Sequence, residues 1–337
     1  LYLFIGFYSL SGIAQTTEEI TTSGTFTVPG GVSEITIEAW GGGGAGSTSN
    51  DGNAGGGGGS GAYSKSTISV KPGDKFDIKV GSGGNPDQKV FSSSYPSEVN
   101  GQESKVTKDN SNVIVLAKGG ESLAGNKTSG ANGGPKVDGI GDVKKGGNSG
   151  GSASGGNSGA GGSAPTSNGG AGGASVASGE GNDGGSPGGG GSGAGPFGGL
   201  GGKGAKGRVD ITYTRFIQFK TGNFNVADNW TKGVPSPGDY VAIGVNVTST
   251  LTRNESINYL TLENNSKIEL GSNNLNVKGN LENKSQFTGS GEVILNGTVN
   301  QELSGNGNYS NLKLNSGGEV DINGNITVTG DFINSSQ

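Results

Sequence analysis

Three aromatic residues, Phe91, Tyr95 and Phe197, lie in polar or glycine-rich stretches with no alternating apolar neighbours to draw them into a core. Rings in such settings grip sugars or protein surfaces, offering an apolar face at small entropic cost. These three are the candidate ligand contacts. Carriers of acid–base chemistry are fewer. The chain contains no histidine, no cysteine and no methionine. That composition excludes Ser-His-Asp and Cys-His nucleophile systems, disulfides and imidazole metal sites. The carboxylates Asp210, Asp228, Asp239, Glu263, Glu269, Glu282, Glu292 and Glu319 are what a glycosidase or lyase would have to use. They are scattered and mostly follow the strand alternation outward, as solvated faces do, with Glu269 and Asp321 expected to stack on one face. The expectation is a non-enzyme with no catalytic residue, no cofactor and no metal.

Glycine-rich motifs do not change this. Gly193-Ala-Gly-Pro-Phe-Gly198 and Gly202-Lys-Gly-Ala-Lys-Gly207 both fit GxGxxG, but neither opens a helix, and a tract this rich in glycine generates such matches by composition. Gly179-Glu-Gly-Asn-Asp183 resembles one calcium nonapeptide, yet it is not tandem and Gly185 stands where an apolar anchor belongs. The net charge of -5 gives no reason to expect a nucleic-acid partner.

The chain opens on an apolar stretch, residues 1–14, of the length of a signal-peptide core, with Gly12 and Ala14 placed as a small-residue cleavage site before Gln15. It is too short to span a bilayer, which takes about 20 residues. The expectation is a signal-peptide remnant, export to the cell surface or beyond, and no membrane span in the mature chain.

Composition changes near residue 215. Residues 119–207 hold 37 glycines in 89 positions, whereas 208–337 hold 15 in 130 together with 22 asparagines, so two architectures are expected. No window carries a helical stripe. Period-two patterns predict strands at Thr25–Pro29, Ile35–Trp40, Tyr63–Val70 and Phe76–Val80, a hairpin around Asp109-Asn110, and a closing strand at Arg208–Tyr213. Strands thus bracket the glycine tract, which reads as an insertion into a β-sandwich. Gly195, Gly198, Gly201, Gly204 and Gly207 recur every third residue. That is the period of a left-handed extended helix, in which glycine permits backbones to pack side by side. A flexible Gly/Ser spacer is the competing reading of the same tract.

The run Gly24-Thr-Phe-Thr-Val-Pro-Gly-Gly-Val-Ser-Glu-Ile-Thr-Ile-Glu-Ala-Trp-Gly-Gly-Gly-Gly44, with Gly61-Ala-Tyr63 and Gly207-Arg-Val-Asp-Ile-Thr-Tyr-Thr214, resembles the bacterial and phage glycine-rich domain. It is also similar to the glycine-rich ectodomain of anaplastic lymphoma kinase receptors, whose disulfides this chain lacks. The resemblance covers 20–214. It implies a β-sandwich carrying bundled polyglycine-type helices and a binding or presentation role, since phage members are tail-fibre adhesins.

Residues 215–337 read differently. The segment 221–243 resembles the entry to β-solenoid surface proteins of Bacteroidota, with Phe224 and Trp230 expected to cap the open end of the core. Tyr259–Leu262 matches Asn311–Leu314 and Lys267–Leu270 matches Glu319–Ile322, each 52 residues on. This unit reads as about two coils of a parallel β-solenoid, with asparagine at the corners and in ladders. A bare terminal coil would aggregate, so the native chain is expected to continue past Gln337.

The fold class expected is therefore all-β: a β-sandwich with inserted, packed polyglycine-type helices, then a parallel β-solenoid. The function expected is an exported bacterial surface protein of structural or adhesive role, a glycine-rich head on a solenoid stalk, whose partner is a surface glycan or protein. The alternative is an extracellular carbohydrate-active enzyme or carbohydrate-binding module built on the solenoid.

Overall fold

The computed structural model describes residues 15–86, 100–109, 111–135 and 137–336. Nine strands make the first unit: β1 (Gln15–Ile20), β2 (Gly24–Thr27), β3 (Glu34–Trp40), β4 (Tyr63–Ser69), β5 (Lys75–Lys79), β6 (Ser104–Lys108), β7 (Asn112–Ala117), β8 (Val143–Lys145) and β9 (Arg208–Thr214). They form two antiparallel sheets, β1-β9-β3-β4-β8 and β2-β5-β6-β7. The alternation legible in Ile35-Thr-Ile-Glu-Ala39 sets the packing. Ile35, Ile37 and Ala39 are fully buried with Val209 and Ile211 from one sheet and Phe76, Val106 and Val115 from the other. The β6–β7 hairpin turns at Asp109, which takes a left-handed φ of 55°.

Glycine-containing segments leave and re-enter one rim of this sandwich: after Trp40, before Tyr63, before Ser104, after Ala117 and before Arg208. Their backbones bond to one another with a three-residue rhythm. Along 41–49, the amides of Gly41, Gly44 and Ser47 donate to the carbonyls of Ala62, Gly59 and Gly56, while those of Gly43, Gly46 and Ser49 donate to Ala205, Gly202 and Gly199. The amides of Gly55, Gly58 and Gly61 in turn reach Ala194, Gly191 and Gly188. Each segment therefore has several neighbours at once, and successive amides point at different ones. Among the described residues, no α-, π- or 3-10 helix is assigned within 41–62 or 118–207, because these segments bond outward to neighbours and not along themselves. The polyglycine-type helices expected there are thus not among the assigned elements. What is observed is extended backbone packed directly on backbone.

At many of its glycines that packing leaves no room for a Cβ. One added at Gly201, Gly204 or Gly207 would lie 2.2, 2.0 and 2.2 Å from the carbonyl oxygens of Gly46, Gly43 and Trp40. Gly201, Gly204 and Gly207 of the period-three series are thus a row of contacts along one neighbouring segment, whereas Gly195 and Gly198 lie against Ser178 and Gly179.

From 217 onward the chain winds as a parallel solenoid with three faces. The first face stacks Ile217–Gln218, Tyr240–Ile243, Tyr259–Leu262, Leu281–Asn283, Gln301–Ser304 and Val320–Asn323. The second stacks Gly222–Asn223, Thr248–Thr250, Lys267–Gly271, Gln286–Gly289, Asn308–Tyr309 and Thr327–Val328. The third stacks Glu255–Ile257, Leu275–Val277, Val293–Leu295, Leu312–Leu314 and Phe332–Asn334. Inward residues form columns, among them Leu275–Val293–Leu312–Phe332 and Ile257–Val277–Leu295–Leu314. Corner asparagines bond from coil to coil: Asn254 Oδ1 accepts from the Asn274 amide at 2.8 Å, and Asn274 Oδ1 from that of Glu292 at 2.9 Å.

Register partners lie 18 residues apart at Leu275↔Val293 and 22 apart at Leu281↔Leu303. The 52-residue similarity therefore does not mark two coils. It carries Tyr259–Leu262 on the first face to residues 311–314 on the third. Apolar-x-apolar strands occur on every face, as Leu260-Thr-Leu262, Ile268-Glu-Leu270 and Leu275-Asn-Val277 show, so a similarity can join one face to another.

Phe224 and Trp230 close the first coil as expected. They meet edge to face at 4.9 Å, Phe216 joins at 5.7 Å, and Trp230 Nε1 donates to the Phe224 carbonyl at 2.6 Å. The rim of the sandwich opposite the glycine bundle abuts the solenoid. Arg215 Nε donates to the Gly30 carbonyl at 2.8 Å and its guanidinium pairs with Glu263. Gly31, at a left-handed φ of 76°, lies against the Phe216 backbone, where a Cβ would come within 2.5 Å of the carbonyl oxygen. Among the described residues no helix is long and apolar enough to cross a membrane.

Gly204→Ala is expected to lower stability by about 3 kcal/mol or more, since backbone cannot move aside as a side chain can. Gly24→Ala, where nothing lies within 4 Å, should stay within about 0.5 kcal/mol of the parent. Denaturant unfolding of the two variants checks both.

Candidate functional site: the distal tip of the glycine bundle

Residues 41–49 run outward from β3, and nine extended residues at about 3.1 Å each carry the chain roughly 28 Å from the sandwich. At the far end Ser49 and Gly199 exchange both backbone hydrogen bonds at 2.8 Å. Just before that bridge the chain turns at 195–198, where the Gly198 amide donates to the Gly195 carbonyl at 2.8 Å. Phe197 stands at this turn with its side chain 75% exposed. Its φ of 52° is left-handed, a conformation that costs a non-glycine residue on the order of 1–3 kcal/mol. The Phe197 amide donates to the Asp51 carbonyl at 2.8 Å, and its ring lies over Gly52.

The facing loop is itself fixed. Asp51 Oδ1 accepts from the Asn53 amide at 2.8 Å, Ser49 Oγ donates to the Asn53 carbonyl at 2.6 Å, and the side-chain amides of Asn50 and Asn126 pair. The tip thus offers one apolar ring beside a carboxylate and two amides, all on hydrogen-bonded backbone. Such a surface can pack on a ligand's apolar face and hydrogen-bond its rim without first becoming ordered. Of the three aromatic candidates the structure places Phe197 here; Phe91 and Tyr95 lie outside the described residues.

The acidic candidates are not brought together. Asp210 is buried on the outer side of β9, where Arg208 Nη2 donates to its Oδ2 at 2.8 Å. Burial pushes its carboxyl up despite that partner. Glu263 belongs to the junction, and Glu282 pairs with Lys284 at 2.9 Å. Asp239 accepts from the Ser236 amide at 2.6 Å. Glu269 is on the second face between Lys267 and Thr250; its carboxyl is held down chiefly by the Lys267 hydrogen bond. Asp321 is on the first face opposite Glu302, so the expected stacking of Glu269 with Asp321 does not occur. The two were paired through the 52-residue offset, which changes face. Among the described residues no three acidic side chains group as metal ligands would.

One cluster was missed from the sequence. Trp40 is fully buried on the outer side of its sheet, with the Arg208 guanidinium 5.0 Å over its ring. Its Nε1 donates to Thr166 Oγ1 at 3.2 Å, and Tyr63 beside it bonds Glu38. The covering residues come from the glycine tract, 125 positions away, so no local pattern announces them.

The model of the glycine-rich domain family matches residues 20–214. The chain belongs to the glycine-rich domain family. The matched span begins on the last residue of β1 and ends on the last residue of β9, so the glycine-rich domain comprises the sandwich together with its backbone bundle and tip. No curated protein matches the sequence.

Phe197→Gly is expected to raise the midpoint of thermal unfolding slightly, because glycine accepts the left-handed φ without strain. A fall in the midpoint would mean that the ring holds the tip together by packing.

Proposed function

We propose that the protein is an exported cell-surface component of adhesive or structural role, in which the glycine-rich domain presents the Phe197 tip and the solenoid serves as its stalk. One observation carries this reading: a phenylalanine three-quarters exposed, in a strained backbone conformation, at the end of a hydrogen-bonded bundle and opposite the solenoid. Strain retained at an exposed ring is understandable where the ring contacts something outside the chain. We further infer that the extended glycine segments are polyglycine-type helices. The three-residue recurrence of their hydrogen-bond partners supports this, since three residues complete a turn of such a helix.

Export is read from the apolar residues 1–14 and the Gly12-x-Ala14 site. The partner is a glycan or protein of another surface. Its contact is multipoint and needs no chemistry, in keeping with acidic residues that lie apart.

Two measurements test the proposal. N-terminal sequencing of the protein recovered from its host should begin at Gln15, and an intact leader would sink the export step. The full chain should bind a glycan array or intact cells, with Phe197→Ser weakening binding by about tenfold or more, the scale of a lost aromatic anchor. Equal binding by parent and variant would remove the tip from the reading.

A further inference from the structure

The two edges of the five-stranded sheet carry opposite charge. At one edge lies β1, with Glu18 and Glu19; at the other lies β8, Val143-Lys-Lys145, exposed along its whole length. Among the described residues no backbone hydrogen bond reaches the free side of either strand. Unpaired amides and carbonyls along such edges are a template for a further strand.

Each edge is guarded against its own kind. Two β1 edges meeting would crowd their glutamates together, two β8 edges their lysines, and like charges opposed across strands are destabilising. The same sign on both edges would make that protection complete. Opposite signs leave one combination open, β8 of one copy against β1 of another.

Strand direction and side-chain placement fit that combination. Every neighbouring pair in the sheet is antiparallel, so β1 and β8, at the two ends of the order β1-β9-β3-β4-β8, run the same way. A second copy set beside the first in the same orientation lays its β1 parallel to β8. Glu19 shares a transverse row on the outer side of the sheet with Asp210, Glu38, Lys65 and Val143, and Lys145 lies on that side two residues on. Glu18 and Lys144 are on the inner side, paired with Ile211 and Ser64. A copy stepped by two residues along the strands therefore brings Glu19 beside Lys145 and Glu18 beside Lys144, each on its own side.

These groups are accessible. The Glu19 side chain is 62% exposed and its Arg208 contact is a loose 3.6 Å, while Lys145 forms no ion pair among the described residues. Glu18 accepts from the Tyr213 hydroxyl through one carboxylate oxygen, and Lys144 donates to the Gly139 carbonyl at 3.2 Å, so each keeps hydrogen-bonding capacity.

We propose that the chain self-associates by joining β8 of one copy to β1 of the next, extending the sheet from copy to copy. Backbone hydrogen bonds supply the contact, and the Glu–Lys pairs select its direction and register. The two surfaces in contact are different, so the association does not close as a twofold dimer and copies add in an open series. Neither edge includes Phe197, and the assembly does not depend on what the tip binds.

Sedimentation of the full chain over a range of concentrations tests the proposal. The parent should form species beyond the dimer as concentration rises, and fewer of them as salt is raised, because exposed charges are screened. Lys144→Glu/Lys145→Glu sets acid against acid and should weaken association about tenfold or more, with the thermal unfolding of the parent. Glu18→Lys/Glu19→Lys should weaken it likewise; if loss of the Tyr213 contact lowers that variant's stability, Glu19→Lys alone takes its place. An equimolar mixture of the two charge-reversed variants should restore the series, since every junction then sets acid against base. A parent that stays monomeric at every concentration overturns the inference. So does a discrete dimer with nothing larger, or association that Lys144→Glu/Lys145→Glu leaves unchanged.

Discussion

The backbone hydrogen bond between glycine segments governs this molecule. A buried amide must find an acceptor, and sheets and helices satisfy that need while reserving directions for side chains. In the bundle the successive amides of one segment take different directions, each aimed at a different neighbour. At Gly43, Gly44, Gly59 and Gly204 no direction is left for a Cβ, since a carbonyl oxygen lies about 2 Å from its place. Glycine loses more conformational freedom on ordering than any other residue, so such segments need an external reason to hold still. The sandwich supplies it by fixing where the runs enter and leave, at Trp40, Tyr63, Ser104, Ala117 and Arg208.

The solenoid meets the same requirement in the opposite manner. Its strands also bond to neighbours far off in sequence, but always on two sides only, so a third direction points inward and is filled with Leu, Ile, Val and Phe. Polar corners close each coil through asparagine side chains that stand in for backbone. The junction joins the two solutions through Gly30, Gly31 and Arg215, and the ring pair Tyr240–Tyr259 at 4.3 Å continues beneath Lys71 of the sandwich. The Tyr259 hydroxyl raises the Lys71 ammonium above its usual range by bonding it.

Much of this was legible in residues. Ile35, Ile37 and Ala39 announced their buried face, Asp109 its turn, Phe224 and Trp230 their cap, and the glycines from 195 to 207 a three-residue rhythm that the contacts of 201, 204 and 207 explain. Two kinds of information were not legible. Coil length was hidden because three faces share one pattern, so self-similarity slipped from one face to another and paired Glu269 with Asp321 wrongly. Long-range cover was hidden as well: nothing near Trp40 foretells Thr166. At the tip, an aromatic in a glycine-rich turn was enough to single out Phe197, but its left-handed backbone was not readable from composition.

The bundle also has a thermal consequence. Exposing apolar surface raises the heat capacity of an unfolding chain, and exposing peptide groups lowers it. Glycine segments packed amide against amide hide mostly the second kind of surface. Opening them therefore adds little to the heat capacity, or subtracts from it, while the sandwich and solenoid cores contribute the ordinary positive share. The free-energy curve of the bundle is correspondingly flat with temperature and lacks the steep loss on cooling that follows from a fading hydrophobic drive. The stability of a turn held on such a scaffold, Phe197 included, therefore varies little with ambient temperature.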